Sequence, residues 1–350
     1  MTQRDVNIIS ITQSPIYRNL LKWFLVLSIL PLVIITAVNY YQSKTHLEKI
    51  ALEEATLIGE SRKRYYNNWF QSRFDDLEEL SVSPVTLKVL TTLEQAFDKY
   101  NGDTKQFVES NVWNEVNVHS AHELALASLT HDFTHDIFII DNEANILFSM
   151  AKEDDLGTNL KVGKYKNILF AQSVLDTLDT GYEVFSDLER YTPSDGLISA
   201  FLTAPILLDN QIKGVVAVQI KLDTIHNELS LLNKKQPSLT QYILGMDGKL
   251  RSSLTDDSKD VLTLITNSSL FTKFQNNPSL QGRTSKEYIN SFGDVVVGHI
   301  VPINIANVTW LHVTEIKRTE ALKHADEFLN YSIILLMVFL IFVIFYLLMK

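Results

Sequence analysis

The sequence predicts an α+β protein in which one long N-terminal helix carries two tandem antiparallel-sheet modules, flanked by two transmembrane helices. Three observations predict it. Apolar runs lie at the two ends of the chain, an unbroken helical pattern follows the first, and a hairpin pattern occurs twice in between. Composition alone points elsewhere, because 350 residues with 46% hydrophobic side chains and a net charge of −10 describe an ordinary acidic soluble protein. The placement of the apolar residues excludes that reading.

The first run, residues 20–41, and the last, residues 331–349, each approach the roughly 20 residues that cross a hydrocarbon core as a helix. Residues 1–19 form a short tail. Arg4, Arg18 and Lys22 lie in the first 23 residues and Lys350 follows the second run, so the segment between is more acidic than the chain as a whole. That asymmetry fits a two-pass protein with both termini cytoplasmic and the main domain outside. The first run is longer than the roughly 7–15 residues of a signal-peptide core, and it leaves through Asn39-Tyr40-Tyr41-Gln42 without a small-x-small cleavage site. Trp23, Tyr40 and Tyr41 stand where interfacial aromatics belong, and Pro31 predicts a kink at mid-span. With no cysteine in the chain, disulfides and thiolate metal sites are excluded. An acidic outer domain is a poor partner for nucleic acid, whereas the apolar runs make membrane lipid a partner.

Residues 42–83 read as a stalk helix. Leu57, Ile58, Tyr65, Trp69, Phe70, Phe74, Leu77 and Leu80 recur at helical spacing, Gly59 is the single weak point, and Pro84 stops the pattern. At 1.5 Å per residue such a helix reaches about 65 Å, long enough to pass two small domains. The hairpins come next. Ile137–Asp141 and Ile146–Ser149 flank a short turn. Roughly a hundred residues later Tyr242–Met246 and Lys249–Ser253 flank Asp247-Gly248, a strong turn signal. A second pair follows each: Pro205-Ile206 ahead of Gln219-Ile220-Lys221, and Pro302-Ile303 ahead of Glu315-Ile316-Lys317. Two modules result, a membrane-distal one over residues 84–233 and a membrane-proximal one over 234–317, joined at Lys234–Ser238. Residues 318–330 read as a connecting helix, a continuous rod into the second membrane helix.

These residues resemble the double Cache sensor domains of bacterial transmembrane receptors over about residues 39–322. The resemblance rests on the anchor and long helix, on His135–Asp141, on Glu153–Leu160, on Ser186–Ser194 and on the Pro205 and Pro302 hairpins. It implies two PAS-like modules on one helix, a small ligand held in the distal module, a homodimer, and a cytoplasmic output domain or partner protein. It also implies the bacterial inner membrane, with the main domain periplasmic. Amino-acid receptors of this kind carry a spaced Tyr, Arg, Trp-Tyr and Asp pattern in the distal module. Here no tryptophan lies between Trp113 and Trp310, so that motif is not present. Receptors of this kind also continue into the cytoplasm, which makes a chain ending at Lys350 a fragment or one that signals through a partner. Two other readings stay open: a membrane-anchored interaction module without a ligand, and part of a kinase or cyclase whose catalytic region lies beyond Lys350.

No nucleophile elbow, phosphate loop or dinucleotide fingerprint occurs, so the sequence predicts no enzyme and no cofactor. Asp75, Asp76, Glu78 and Glu79 read as a solvated helix face. His119, His122, His131 and His135 fall within a short stretch and are the candidates for a metal site. The alternative is a set of polar residues capping a helix-to-strand junction. The favoured ligand site is the loop after Ser186. Asp187, Arg190, Tyr191 and Ser194 supply its polar contacts, with Phe138, Phe201 and Gln219 on strands as its wall.

Overall fold

A computed structural model describes residues 15–128, 134–254, 259–263, 268–278 and 282–348. Helix α1, Pro15–Val82, is 68 residues long and runs through both Pro31 and Gly59. The membrane run and the stalk are therefore one helix, about 100 Å from end to end. Gly59 does not break it, although glycine in a helix interior costs roughly 1 kcal/mol relative to alanine. Beyond it α1 buries Tyr66, Phe70, Phe74, Leu77 and Leu80 in the main core. Each large apolar side chain so buried contributes roughly 1.5–3 kcal/mol, and the sum outweighs one glycine. The helix ends at Pro84, whose ring opens helix α2, Pro84–Lys99, with Ser83 as N-cap accepting from Val85 N–H at 3.3 Å.

The distal module continues with α3 (Thr104–Val108), α4 (Asn111–Ser128), β1 (Thr134–Asp141), β2 (Ile146–Ser149), α5 (Leu169–Thr180), β3 (Val184–Phe185), β4 (Glu189–Tyr191), β5 (Leu197–Leu208) and β6 (Gln211–Ile220). Its six-stranded sheet runs β2-β1-β6-β5-β3, with β4 paired to β5. Asp209 and Asn210 join β5 to β6 with φ of 51° and 60°, the two left-handed residues of a tight hairpin turn. Helix α6 (Asp223–Lys235) leads to the proximal module: β7 (Leu239–Gly245), α7 (Ser269–Asn276), β8 (Arg283–Ile289), β9 (Val295–Ile305) and β10 (Val308–Lys317). Its four strands run β7-β10-β9-β8.

The duplicated pattern thus appears as two related sheets. The β1–β2, β5–β6 and β9–β10 hairpins lie where the sequence places them. The Asp247-Gly248 hairpin is short: Gly245 N–H donates to Lys249 O at 2.9 Å, Arg251 N–H donates to Ile243 O at 2.7 Å, and Leu250 bridges to Leu244 between them, while the Arg251 side chain reaches Asp187. The connecting rod is also interrupted, since α8 (Arg318–Ala321) ends at Leu322 before α9 (Lys323–Leu348) begins. Leu322 and Ala325 are buried at this joint, where Leu322 N–H donates to Arg318 O and Asp326 N–H to Leu322 O, each at 3.0 Å.

The start of α1, from Lys22, and α9 up to Phe345 are long and apolar enough to cross a membrane, and those stretches are unburied. At their foot Tyr40 donates to Asp326 at 3.0 Å and Arg318 donates to Glu48 at 3.0 Å, tying α1 to the chain that follows β10. The main core spans both modules: Ile243, Ile303 and Trp310 of the proximal sheet belong to the same apolar cluster as the distal sheet.

Candidate functional site

On the distal sheet, strand alternation points Phe138 of β1, Phe201 of β5 and Gln219 of β6 inward, and all are buried. Phe170, at the start of α5, stacks on Phe201 at 4.1 Å and meets Phe138 at 5.0 Å. Glu189 on β4 fixes that helix start: its carboxylate accepts from the N–H groups of Leu169 at 3.0 Å and Phe170 at 2.9 Å. Two residues on, Tyr191 turns its ring edge-on to Phe201 at 4.7 Å. The outcome is an aromatic wall built from four separate elements.

A polar cluster lies against that wall. The Tyr191 hydroxyl donates to Asp155, which is itself fully buried. Ser194 donates to Glu153. Gln219 donates from Nε2 to Ser199 at 2.8 Å and to Ser194 at 3.2 Å. Asp136, opposite Gln219 in the β1–β6 register, accepts from Ser149 at 2.7 Å and from the N–H groups of Ile137 and Ala151. Two buried acceptors are left over: Asp155 Oδ1 and Gln219 Oε1 have no hydrogen-bond partner among the described residues.

The electrostatics agree with the geometry. Burial pushes the Asp155 carboxyl up to about 6; the neighbouring charges of Asp136 and Glu153 push the same way, and the Tyr191 hydrogen bond opposes them. Burial likewise raises Asp136 and Glu189, and it raises Tyr191 far above the ordinary phenol range. His135 Nε2 stands 3.6 Å from Glu153. The cluster is rich in acceptors and short of positive charge, so a cation with several N–H donors fits it best.

Tyr191, Ser194, Phe138, Phe201 and Gln219 are thus brought together. Asp187 and Arg190 are not. Asp187 is committed to Arg251 and Trp310 of the proximal module, and the exposed Arg190 reaches Val261 O at 3.5 Å. Sequence reasoning missed Asp155, Asp136, Ser199 and Phe170. Their one visible signal is that Asp155 and Asp136 each directly precede an apolar residue where the chain enters the core. Of the histidines, His131 and the side chain of His119 lie outside the described residues, His122 is exposed on α4, and only His135 touches the cluster. Among the described residues no three metal-binding side chains gather.

No protein-family model matches the sequence, and no curated protein does. Solved structures do. The ligand-binding domain of the Pseudomonas fluorescens chemoreceptor CtaA in complex with L-isoleucine superposes with a TM-score of 0.51 at 13% identity, covering 80% of this chain and 98% of that one. The same domain in complex with L-leucine gives 0.50 at 14% identity, covering 79% and 99%. The Pseudomonas aeruginosa PAO1 chemoreceptor PctC ligand-binding domain with GABA gives 0.49 at 14%, covering 74% and 96%. The fold is that of the CtaA ligand-binding domain, the double Cache arrangement that the sequence resembles.

Proposed function

We infer that this chain is the sensory part of a bacterial transmembrane receptor and binds a small extracytoplasmic solute in its membrane-distal module. The observation that carries the reading is the pair of buried, unpartnered acceptors, Asp155 Oδ1 and Gln219 Oε1, beside an aromatic wall. A buried acceptor without a donor costs roughly 1–3 kcal/mol, and a ligand that brings the donors recovers it. A primary ammonium group supplies three N–H donors and the charge that Asp155 lacks, while Phe138, Phe170 and Phe201 receive an apolar tail. The solved relatives of the same fold hold L-isoleucine and L-leucine, each of which pairs an amine with such a tail. In this reading the chain is a homodimer in the inner membrane, with both termini inside, and it works through a cytoplasmic output domain or partner.

The test is calorimetric titration of the full chain in nanodiscs with n-butylammonium, L-leucine and N-acetyl-L-leucine. Binding of the first two and not of the third supports an ammonium-reading site. Saturable binding of the acetylated compound with the same affinity as L-leucine overturns it, and silence from all three favours an interaction module without a ligand.

A further inference from the structure

Asp187 joins the two modules. Its backbone is left-handed, φ 64°, a conformation that aspartate tolerates better than most side chains do. Its carboxylate accepts from Arg251 Nε and Nη2, each at 2.8 Å, and from Trp310 Nε1 at 2.8 Å. Both donors are interior: the Arg251 side chain is 6% exposed and Trp310 is fully buried. The guanidinium is confined as well, since a Cβ at Gly245 would stand 2.4 Å from its Cζ. A bidentate guanidinium–carboxylate pair fixes direction as well as distance.

Each side of this clasp leads to a functional element. On the distal side Ser186 donates its N–H to Phe201 O and accepts the Phe201 N–H on Oγ, both at 2.9 Å. The same short segment then carries Glu189, which caps α5, and Tyr191, which donates to Asp155. On the proximal side Trp310 lies on β10 opposite Gly245, and β10 passes at Lys317 directly into α8 and α9. Phe70 and Phe185 each pack edge-on against the Trp310 ring at 5.4 Å, so the indole is seated and cannot absorb a displacement by tilting.

We propose that the Asp187–Arg251–Trp310 clasp is the positioning element that transmits the state of the distal cluster to β10 and so to the second membrane helix; this rests on reading that cluster as the ligand site. A group entering beside Asp155 shifts Tyr191, because both are already in close contact. The segment from Ser186 to Tyr191 is pinned at its two ends, so the shift reaches Asp187. Packed interfaces respond to such small displacements by changing between discrete arrangements. The rival route is α1, one rigid helix that touches both sheets.

Hydrogen exchange on the full chain in phosphatidylethanolamine–phosphatidylglycerol nanodiscs separates the two routes without any ligand. Asp155→Asn removes one carboxylate from the cluster, the one a bound cation would face. With the clasp intact, this substitution changes the exchange rate of residues 318–330 by about threefold or more. In Arg251→Met, and in Trp310→Phe, which keeps the ring packing and loses the N–H, that remote change disappears while the local change at β4 persists. An undiminished remote change in both clasp variants assigns the coupling to α1 and overturns the proposal. So does a remote rate that Asp155→Asn leaves unaltered with the clasp intact. Should Arg251→Met unfold the module, Trp310→Phe alone decides. Failure of the ligand reading shows separately, in the amine titration.

Discussion

Gln219 and Glu315 occupy matching places in the two modules, each just before the Ile-Lys pair that closes a long central strand, and their surroundings differ in kind. Glu315 has both oxygens in use: Oε1 accepts from Tyr242 at 2.9 Å and from Tyr288 at 2.7 Å, and Oε2 accepts from Asn290 at 2.8 Å. In the distal module Gln219 Oε1 and the nearby Asp155 Oδ1 are unpartnered among the described residues. The Glu315 carboxylate has a donor on each oxygen, although Gln241 Oε1 and His312 Nε2 on the same sheet are buried without a partner among the described residues, whereas Asp155 and Gln219 each keep one acceptor open. A satisfied buried network rigidifies a module, whereas an unsatisfied one holds free energy that a ligand can release. In the proposed reading the Glu315 network is structural and the Asp155–Gln219 cluster binds the ligand.

Four experiments can break or sharpen this contrast. The largest effect belongs to Glu315→Ala, which strands three buried donors at once; the proximal module loses on the order of 3 kcal/mol in chemical denaturation. If the loss is under about 1 kcal/mol, the closed network is not a structural element. Next is Asp155→Asn, which weakens n-butylammonium binding by roughly 10–100-fold, about 1.4–2.7 kcal/mol, yet leaves the ligand-free melting temperature the same or higher. Equal affinities for wild type and variant place the site elsewhere.

Gly59→Ala tests the seam between α1 and the proximal sheet. A Cβ there would stand 2.5 Å from His299 Cδ2, so the usual helix gain of alanine is lost to overpacking and stability falls by about 1–2 kcal/mol. Adding His299→Ala makes room and reverses that loss, and a double variant no better than the single one excludes this cause. The smallest effect is on pH dependence, and the two modules move in opposite directions. Asp155 is raised when folded, so its contribution to ligand-free stability is present in acid and lost as pH rises through about 6. Cation binding needs the ionised carboxylate and weakens as pH falls through the same range. His312 is fully buried, and burial holds it down at about 3, with the charge of Arg62 on α1 and the nearby His299 acting the same way. Its contribution is present above the ordinary imidazole range and fades as pH falls from there toward 3. Glu315, raised by burial, opposes it within the same sheet. Site-resolved hydrogen exchange at pH 7 and 5 reads both: β1 and β6 gain protection in wild type and not in Asp155→Asn, and β9 loses less in His312→Gln than in wild type.

Legibility in the sequence followed the range of the interactions. The β5–β6 and β9–β10 hairpins could be read because their turn and alternation lie within one short stretch of chain. The same alternation turned Phe138, Phe201 and Gln219 inward. Asp155 escaped because a carboxylate in an acidic run looks solvated until the Tyr191 strand closes over it, 36 positions later. The partners of Asp187 were hidden for a related reason. Its short-range context is that of a binding loop, but its partners lie 64 and 123 positions away. Leu322 was absorbed into a continuous helix since neither proline nor glycine marks the interruption.

The sequence by itself determined the two membrane runs, the long helix between them, the doubled hairpin pattern and the inward aromatic residues, because periodicity and turn chemistry act between near neighbours. Only the tertiary structure decided which polar groups face each other. It left Asp155 Oδ1 and Gln219 Oε1 without partners among the described residues, closed three donors on Glu315, and set Asp187 against Arg251 and Trp310 of the other module. Pairing of buried polar groups depends on where distant strands bring them, and no local pattern carries that information.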